Sequence, residues 1–330
     1  MMNKKLLIAV GLVAFSSSIC AGPFKINVDS YGDEDGVTEA INQLGMTGTL
    51  ATSIYKASSF NNIFGSTVID TNIYTEVTAL AGEPIAGVHT ALDGTILNGS
   101  VGDKNSRFVN PVVYTQASLI RNIDQLNLVD GSGEDFEGFS GNNSKDWFLD
   151  FQYYFTGTVS TSSQVFNDGY FNIFFIDKTS GNRVQVARLD VDNSELSNAN
   201  LQVSGGYTGD FDGDGVADNL TDFQKNFFFD IKTGKTFWEL WSESALNTNV
   251  VAWAINTNVV PPIPSASQLV LFNKGTADQS DDVLIRQTDL NSSIGFAIPE
   301  PSSVALLGMG LLGLGARFGK KHRRTTNPVQ

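Results

Sequence analysis

The sequence predicts an all-β fold of the β-sandwich or jelly-roll type, and three observations support this prediction. Thr, Val, Ile and Tyr recur in short runs that are separated by Gly, Asn, Asp and Ser. The chain contains 23 Phe and 32 Gly, whereas charged residues make up only 17%. In the clearest segment, which begins at Trp147, large apolar residues recur at every second position. Short strands with regular turn signals are typical of such folds.

The same pattern predicts the individual elements in order. The expected strands are 24–28, 47–55, 67–80, 147–155, 170–176, 183–191, 226–230, 236–241, 250–255, 269–272, 283–287 and 294–298. We expect 226–230 and 236–241 to form a hairpin. A helical turn is expected at 38–44. The spacing of Leu119, Ile120, Ile123 and Leu126 predicts a helix over 116–126.

The strand at 147–155 gives the strongest prediction of a buried face. Its inward face is formed by Trp147, Leu149, Phe151, Tyr153 and Phe155. The run 170–176 is apolar on both faces and should lie centrally in its sheet. The apolar register of 183–191 shifts between Val186 and Leu189, which indicates a β-bulge.

The N-terminus predicts export. Lys4 and Lys5 precede an apolar run and a small-residue segment, so residues 1–21 form a secretory signal peptide for a signal peptidase. Cleavage after Cys20, Ala21 or Gly22 is compatible with this pattern. The exported β-rich domain then spans 22–297. A polar, acidic stretch near 130–145 is either a loop or a seam between two halves.

Charge and cysteine content exclude several functions. The segment between the signal peptide and the basic end of the chain carries 14 Lys and Arg against all 35 Asp and Glu, a formal charge of −21. Nucleic-acid binding needs basic patches, so it is not expected. An acidic surface favours divalent cations and cationic partners. Cys20, the only cysteine, lies at the end of the signal peptide, so no disulfide is expected.

The C-terminal residues have three consecutive features. Pro299-Glu300-Pro301 is followed by an apolar run at 302–316, which would be roughly 22 Å long as a helix. A basic block follows: Arg317, Lys320, Lys321, Arg323 and Arg324. Because a bilayer core is about 30 Å thick, this run predicts a marginal C-terminal membrane helix with its basic flank on the cytoplasmic side.

This order of features resembles the PEP-CTERM sorting signal of bacterial surface proteins. The resemblance covers residues 298–324, and 325–330 form a short tail. It implies recognition by an exosortase, a membrane cysteine transpeptidase that removes the signal. The protein would be anchored transiently in the inner membrane and then reach the cell surface or the extracellular space. An ordinary C-terminal membrane helix is the alternative.

An acidic loop is the sharpest internal motif. Asp210, Asp212, Asp214, Val216 and Asp218 have the spacing of the first nine positions of an EF-hand-type calcium loop. Carboxylates would bind Ca²⁺ at most positions, Val216 would use its carbonyl, and Asp218 would bind directly or through water. The loop looks like those of dockerins. Thr221 stands where the twelfth position normally has a carboxylate, so a solvated turn is the alternative.

Catalytic motifs are mostly missing, so we expect no enzymatic activity. The only histidines are His89 and His322, which excludes a zinc site built on histidines. Paired acids of a glycosidase would have to come from Glu239 and Glu243, or from Glu134, Asp135 and Glu137. A carbohydrate-binding module is the stronger alternative, with Trp147, Trp238, Trp241 or Trp253 as a platform for sugar rings.

The end of the exported domain resembles PEP-CTERM proteins associated with flocculation. The segments that carry this resemblance are Trp253–Asn256, Asn258–Pro262, Leu269–Val270 and Asp289–Ser293. The resemblance implies a structural role in cell aggregation. The sequence thus predicts an exported adhesive protein of the biofilm matrix with a structural calcium ion, which contacts exopolysaccharide or other cell-surface components.

Overall fold

The computed structural model describes residues 22–29, 36–82, 88–98, 125–129, 147–197, 200–243, 251–257, 263–273 and 276–298. The expected signal peptide, the 130–145 stretch, the sorting signal from Pro299 onward and most of the helix expected at 116–126 lie outside these residues. In the part of the chain that is described, no helix is both long enough and apolar enough to cross a membrane.

Fourteen strands and three short α-helices are formed by the described residues. The strands are β1 (Phe24–Ile26), β2 (Gln43–Tyr55), β3 (Thr67–Thr71), β4 (Val88–Thr90), β5 (Ile96–Asn98), β6 (Gln125–Val129), β7 (Trp147–Val159), β8 (Gln164–Asp177), β9 (Arg183–Ser197), β10 (Asn200–Thr208), β11 (Phe228–Asp230), β12 (Ala252–Thr257), β13 (Val270–Phe272) and β14 (Val283–Ala297). The helices are α1 (Tyr74–Ala81), α2 (Asp222–Asn226) and α3 (Phe237–Glu243), and 3₁₀ turns occur at Phe60–Asn62 and Ala266–Gln268.

Eight strands form a closed antiparallel sheet, which we call the ring. Its order is β2, β3, β7, β8, β9, β10, β12 and β14. The sheet closes because β14 pairs with strands on both of its edges: Ile294 lies opposite Ile255 of β12 and opposite Leu44 of β2. The mostly β class is therefore confirmed, whereas the two-sheet sandwich or jelly roll is not.

The inside of the ring is an aromatic core, as the period-two pattern predicted. Phe151 and Tyr153 are 0% and 1% exposed, and the ring of Phe151 stacks on Phe171 of β8 with 5.1 Å between centroids. The bulge in β9 is also confirmed, because Ile173 pairs with Ala187 while Phe174 pairs with Gln185, which leaves Val186 as the extra residue.

One end of the ring is closed by an aromatic cap, which consists of β1, β11, α2, α3 and the loop Gly209–Leu220. β1 pairs with β11, and Phe24 of β1 lies 5.0 Å from the ring of Phe296 at the end of β14. Phe223 of α2 lies 5.2 Å from Phe175 of β8. The cap thus joins the first strand, the last strand and the central strands of the ring.

A smaller apolar cluster lies on the outer face of the ring. It joins Ile54 of β2 and Ile69 of β3 to Val77 of α1, and it also includes Phe272 of β13 and Ile285 of β14. The β4–β5 hairpin contributes Leu97 to the same cluster.

Several local predictions were wrong. The strand expected over 67–80 ends at Thr71, whose side chain accepts a hydrogen bond from the N–H of Ile73 at 3.0 Å, and α1 follows. The helical turn expected at 38–44 is replaced by an isolated bridge at Ile41 and the start of β2. Gln125 and Leu126, the end of the expected 116–126 helix, belong to β6.

Of the hairpin expected from 226–230 and 236–241, only the turn and one bridge form: the N–H of Asp230 donates to the carbonyl of Lys235 at 2.9 Å, and Phe229 pairs with Thr236 in an isolated antiparallel bridge. β11 pairs with β1, and residues 237–241 belong to α3. Thr236 begins this helix: its hydroxyl accepts from the N–H of Glu239 at 3.0 Å, and the Glu239 side chain accepts from the N–H of Thr236 at 2.8 Å. This is a capping box, which favours a helix over a strand. The two strands expected at 283–287 and 294–298 are one strand, β14, with a register shift between Leu290 and Ser292.

Candidate calcium-binding loop

The acidic motif lies in the loop between β10 and α2. Phe211 and Leu220 anchor it, since both are only 6% exposed. The N–H of Asp218 donates to the carbonyl of Gly209 at 3.0 Å and closes the base of the loop. The acidic side chains between these anchors are therefore held on a fixed turn at the surface of the cap.

Asp210 organises the backbone of the loop. Its Oδ1 atom accepts from the N–H groups of Gly213 at 2.7 Å and Asp214 at 3.1 Å, and its Oδ2 atom accepts from Gly215 at 2.8 Å. Both glycines have positive φ angles, 80° and 88°, which wrap the chain around the carboxylate. Desolvation raises the pKa of Asp210, but the three N–H groups outweigh it and the net pKa is lowered.

Asp218 supports the opposite side of the loop. Its Oδ2 atom accepts from the N–H of Phe211 at 2.5 Å and from the N–H of Asp212 at 3.2 Å. Carboxylate oxygens of Asp210, Asp212 and Asp218 consequently lie within 4.8 Å of one another. Oxygen ligands at this separation suit a hard cation such as Ca²⁺.

The Asp212 side chain is exposed, and the neighbouring negative charges affect its pKa. The N–H of Asp214 lowers its pKa, but desolvation and the negative charges of Asp214 and Asp218 act in the other direction, and the net pKa is raised. A cation between the carboxylates would remove this repulsion.

The remaining two candidate ligands are not part of the convergent group. Asp214 uses its Oδ1 atom to accept the N–H of Val216 at 2.8 Å, and Val216 is 65% exposed. The twelfth position also differs from an EF-hand. Thr221 begins α2, and its hydroxyl accepts from the N–H of Gln224 at 3.3 Å. The residue therefore caps a helix where an EF-hand supplies a carboxylate, and α2 starts later than the EF-hand pattern requires.

Two side chains that the sequence did not place near the loop pack against the loop backbone. The Arg188 guanidinium lies over Gly213, where a Cβ atom would be 2.6 Å from it, and Arg188 also pairs with Asp190 at 2.9 Å. The ring of Trp241 lies against Gly209, where a Cβ atom would be 2.4 Å away. Arg188 comes from β9 and Trp241 from α3, so only the tertiary structure brings them to the loop.

The tryptophans differ in their availability to a ligand. Trp147 and Trp253 are 6% and 0% exposed, and the Trp253 Nε1–H donates to the carbonyl of Asp190 at 3.0 Å. Trp238 and Trp241 are partly buried against the core, and the Lys225 ammonium lies 5.0 Å from the Trp238 ring centre. Among the four, only these two α3 residues retain an accessible surface.

The two candidate catalytic acids in the described part of the chain have other partners. Glu239 accepts a bond in the α3 capping box, and Glu243 pairs with Lys235. His89 lies in the short strand β4 with its ring 5.3 Å from Phe272. Glu134, Asp135, Glu137 and His322 lie outside the described residues.

The interior of the ring holds a polar cluster that sequence patterns did not reveal. Asp70 accepts from the hydroxyl of Tyr153 at 2.7 Å and from Ser53 at 2.5 Å, and Gln164 donates to the hydroxyl of Tyr55 at 2.7 Å. Arg286, which is 1% exposed, adds a positive charge beside Asp70 and Tyr55.

Burial dominates the electrostatics of this cluster. Desolvation raises the pKa of Asp70 although Ser53, Tyr153 and Arg286 oppose it, and it raises the pKa of Tyr55 to about 12. Asp70, Tyr153 and Gln164 line a cavity of about 20 Å³ whose other walls are apolar. That volume holds about one water molecule and leaves no room for a sugar ring.

The comparisons with known proteins concern the end of the chain. Residues 297–321 match the PEP-CTERM protein-sorting motif, which is the resemblance inferred from Pro299, Glu300 and Pro301. No curated protein and no solved structure matches the chain. The chain is therefore an exported protein of the class that an exosortase processes. The flocculation type is not confirmed.

Proposed function

We propose that the exported domain is a non-catalytic structural or adhesive protein of the bacterial cell surface or matrix, stabilised by calcium. The observation that carries this proposal is the convergence of the Asp210, Asp212 and Asp218 carboxylates within 4.8 Å on a surface loop. Extracellular calcium is abundant enough to fill weak sites, with dissociation constants of roughly 10⁻⁴ to 10⁻³ M.

The loop offers a plausible set of oxygen ligands. Asp210, Asp212 and Asp218 already converge, and Asp214 would have to give up its 2.8 Å bond from the Val216 N–H to add its carboxylate. The carbonyl of Val216 would follow in the EF-hand order. Water would complete the shell on the exposed side, because Thr221 is occupied as a helix cap.

A structural role for the ion follows from where the loop lies. It connects β10 of the ring to α2 of the cap, and α2 leads into β11, which holds β1. An ion that cross-links residues 210–218 would restrict this connection and reduce local opening of the cap.

The adhesive part of the proposal rests on charge and delivery. The exported segment is strongly acidic, so divalent cations can bridge it to anionic exopolysaccharide or to neighbouring cells. Exosortase processing would follow transient inner-membrane anchoring by residues 302–316 and would leave the domain at the surface or in the extracellular matrix. A role in flocculation or biofilm formation fits this delivery.

A thermal unfolding experiment tests the calcium site. Calcium should raise the melting temperature of the processed protein, and Asp212→Ala combined with Asp214→Ala should abolish the rise. Glu195→Gln, which removes one exposed negative charge from β9 outside the loop, is the matched control and should keep it. An equal rise in the double variant would remove the loop from the proposal.

A carbohydrate-binding module is the second candidate, and one observation favours it. The partly exposed ring of Trp241 lies against Gly209, directly before the acidic loop. One sugar could therefore stack on this ring and bind the calcium ion at the same time. A glycan array with and without calcium separates the two functions. A discrete, calcium-dependent signal that Trp241→Phe weakens would favour the module.

A further inference from the structure

The two processed ends of the chain lie side by side at the cap. The backbone N–H of Gly22, next to the expected signal-peptide cleavage site, donates to the carbonyl of Phe296 at 2.8 Å. Phe296 is the penultimate residue of β14, and Pro299 follows it by three positions. The start of the mature domain is thus hydrogen bonded to the strand that leads into the sorting motif.

The end of β14 is held firmly in the ring. Gly295 pairs with Ala254 of β12 on one edge and with Gln43 of β2 on the other, and Ala297 pairs with Ala252. The Phe296 side chain is 1% exposed and lies 5.0 Å from Phe24 and 5.1 Å from Phe237. Ile298 also packs against the core.

The sorting motif overlaps this folded segment. Its match begins at residue 297, so Ala297 and Ile298 belong both to the motif and to the packed end of the ring. The chain offers no spacer between the folded domain and Pro299. A peptide must leave its own strand partners before it can lie extended in the cleft of another protein.

We propose that the cap controls exosortase access to the sorting motif: tail removal from the folded precursor requires β14 to open at Phe296–Ile298, and the seated N-terminal strand β1 resists this opening. Cleavage of a protected site follows the population of its open form when opening and closing are fast. Contacts that hold the end of β14 against the cap, such as Phe24 against Phe296, therefore slow tail removal. This inference rests on exosortase processing and not on the proposed calcium site.

A spacer tests the proposal directly in the full-length precursor. We would insert about six Gly and Ser residues, a flexible linker, between Ile298 and Pro299 and follow tail loss by pulse-chase in a host that carries the exosortase. The spacer should raise the rate of tail removal roughly tenfold, because cleavage would no longer require strand opening. The same insertion between Thr161 and Ser162, in the exposed β7–β8 turn at the opposite end of the ring, is the matched control and should leave the rate unchanged.

A second variant tests the role of β1. Phe24→Leu should speed tail removal severalfold in the parent chain, since it weakens the contact with Phe296, and should have no further effect in the spacer chain. If the Phe24→Leu protein does not accumulate, the rates of tail removal in the spacer chain and its control chain test the proposal without it. A spacer chain that is processed at the parental rate, or more slowly, would overturn the proposal, and a slower rate would mean that the exosortase recognises the folded end of the ring.

Discussion

The Oδ2 atom of Asp210 accepts a hydrogen bond from the backbone N–H of Gly215 at 2.8 Å, and this bond joins the first and sixth positions of the acidic loop. Asp210 also receives two further N–H bonds through Oδ1. The loop backbone is therefore folded around one carboxylate before any ion is considered. Two consequences can be measured, one for stability and one for pH dependence.

Asp210→Asn should weaken the loop. A carboxylate offers two accepting oxygens, but the amide offers one, so an N–H of the loop would face an NH₂ group. We expect a loss of about 1 kcal/mol in unfolding free energy without calcium, because the loop lies at the surface, where solvent screens the charge. Urea unfolding of the variant beside Glu195→Gln measures the difference. An unchanged midpoint would show that these bonds do not stabilise the fold.

The same residue predicts a loss of stability in acid. Since the pKa of Asp210 is lowered in the fold, its stabilising contribution is present above 3.8 and disappears as the pH falls through the lower folded-state value. Asp210→Asn should therefore flatten the acid limb of the stability–pH curve below about pH 4. Parallel curves for the two proteins would contradict this.

Tyr207 should limit stability at alkaline pH. Burial alone raises the pKa of its phenol, and Tyr207 of β10 is 4% exposed where it packs against Phe211 and Phe237 of the cap. The folded state then keeps a proton that the unfolded state releases above pH 10, so stability falls as pH rises, by about 1.4 kcal/mol per unit for each such group. Tyr207→Phe should match the parent at pH 7 and fall less steeply above pH 10. Equal slopes in urea unfolding at pH 10 and 11 would exclude this effect.

Gly205→Ala should distort the pairing of β10 with β9, whose register shifts between Ser204 and Gly205. A Cβ atom at Gly205 would lie 1.8 Å from the Asp190 carbonyl oxygen and 3.0 Å from the Trp253 indole nitrogen. That oxygen also accepts the Trp253 N–H, so relief of the clash would break a buried bond. We expect a loss of roughly 2–4 kcal/mol by calorimetry. Ser204→Ala at the adjacent position is the control, and a wild-type-like melting temperature for Gly205→Ala would contradict the geometry.

Asp70 and Arg286 should show strong energetic coupling inside the ring. Arg286→Met would leave the Asp70 carboxylate without the positive charge that opposes its desolvation, at a cost of roughly 3–5 kcal/mol. Asp70→Asn added to this variant should recover part of the loss, because no uncompensated charge remains. A double-mutant cycle measures the coupling. Strictly additive changes would show that the two charges do not interact.

Sequence patterns predicted most of the long strands but not the closure of the sheet. The face formed by Phe151 and Tyr153 and the bulge at Val186 both follow from local alternation, which the chain itself encodes. Closure of the ring depends on pairs such as Ile294 with Leu44, which are far apart in sequence. No local pattern specifies such a pair, so the sequence could not distinguish a two-sheet sandwich from a closed sheet.

The errors at the cap have a different cause. The aromatic residues of 236–241 favoured a strand, although Thr236 and Glu239 form a capping box that was visible in the sequence. In the loop, the carboxylates of Asp210, Asp212 and Asp218 lie within 4.8 Å of one another, and calcium binding by them stays a prediction. Arg188 and Trp241 could not be foreseen, because they reach the loop only through the packing of β9 and α3.

Calorimetric titration of the processed protein with calcium tests the central claim most directly. We predict one site per chain with a dissociation constant of roughly 10⁻⁴ to 10⁻³ M, and no binding heat for Asp210→Asn combined with Asp212→Ala. Glu195→Gln should bind like the parent. Absence of calcium binding by the parent, or unchanged binding by the loop variant, would contradict the claim that residues 210–218 hold a structural calcium ion.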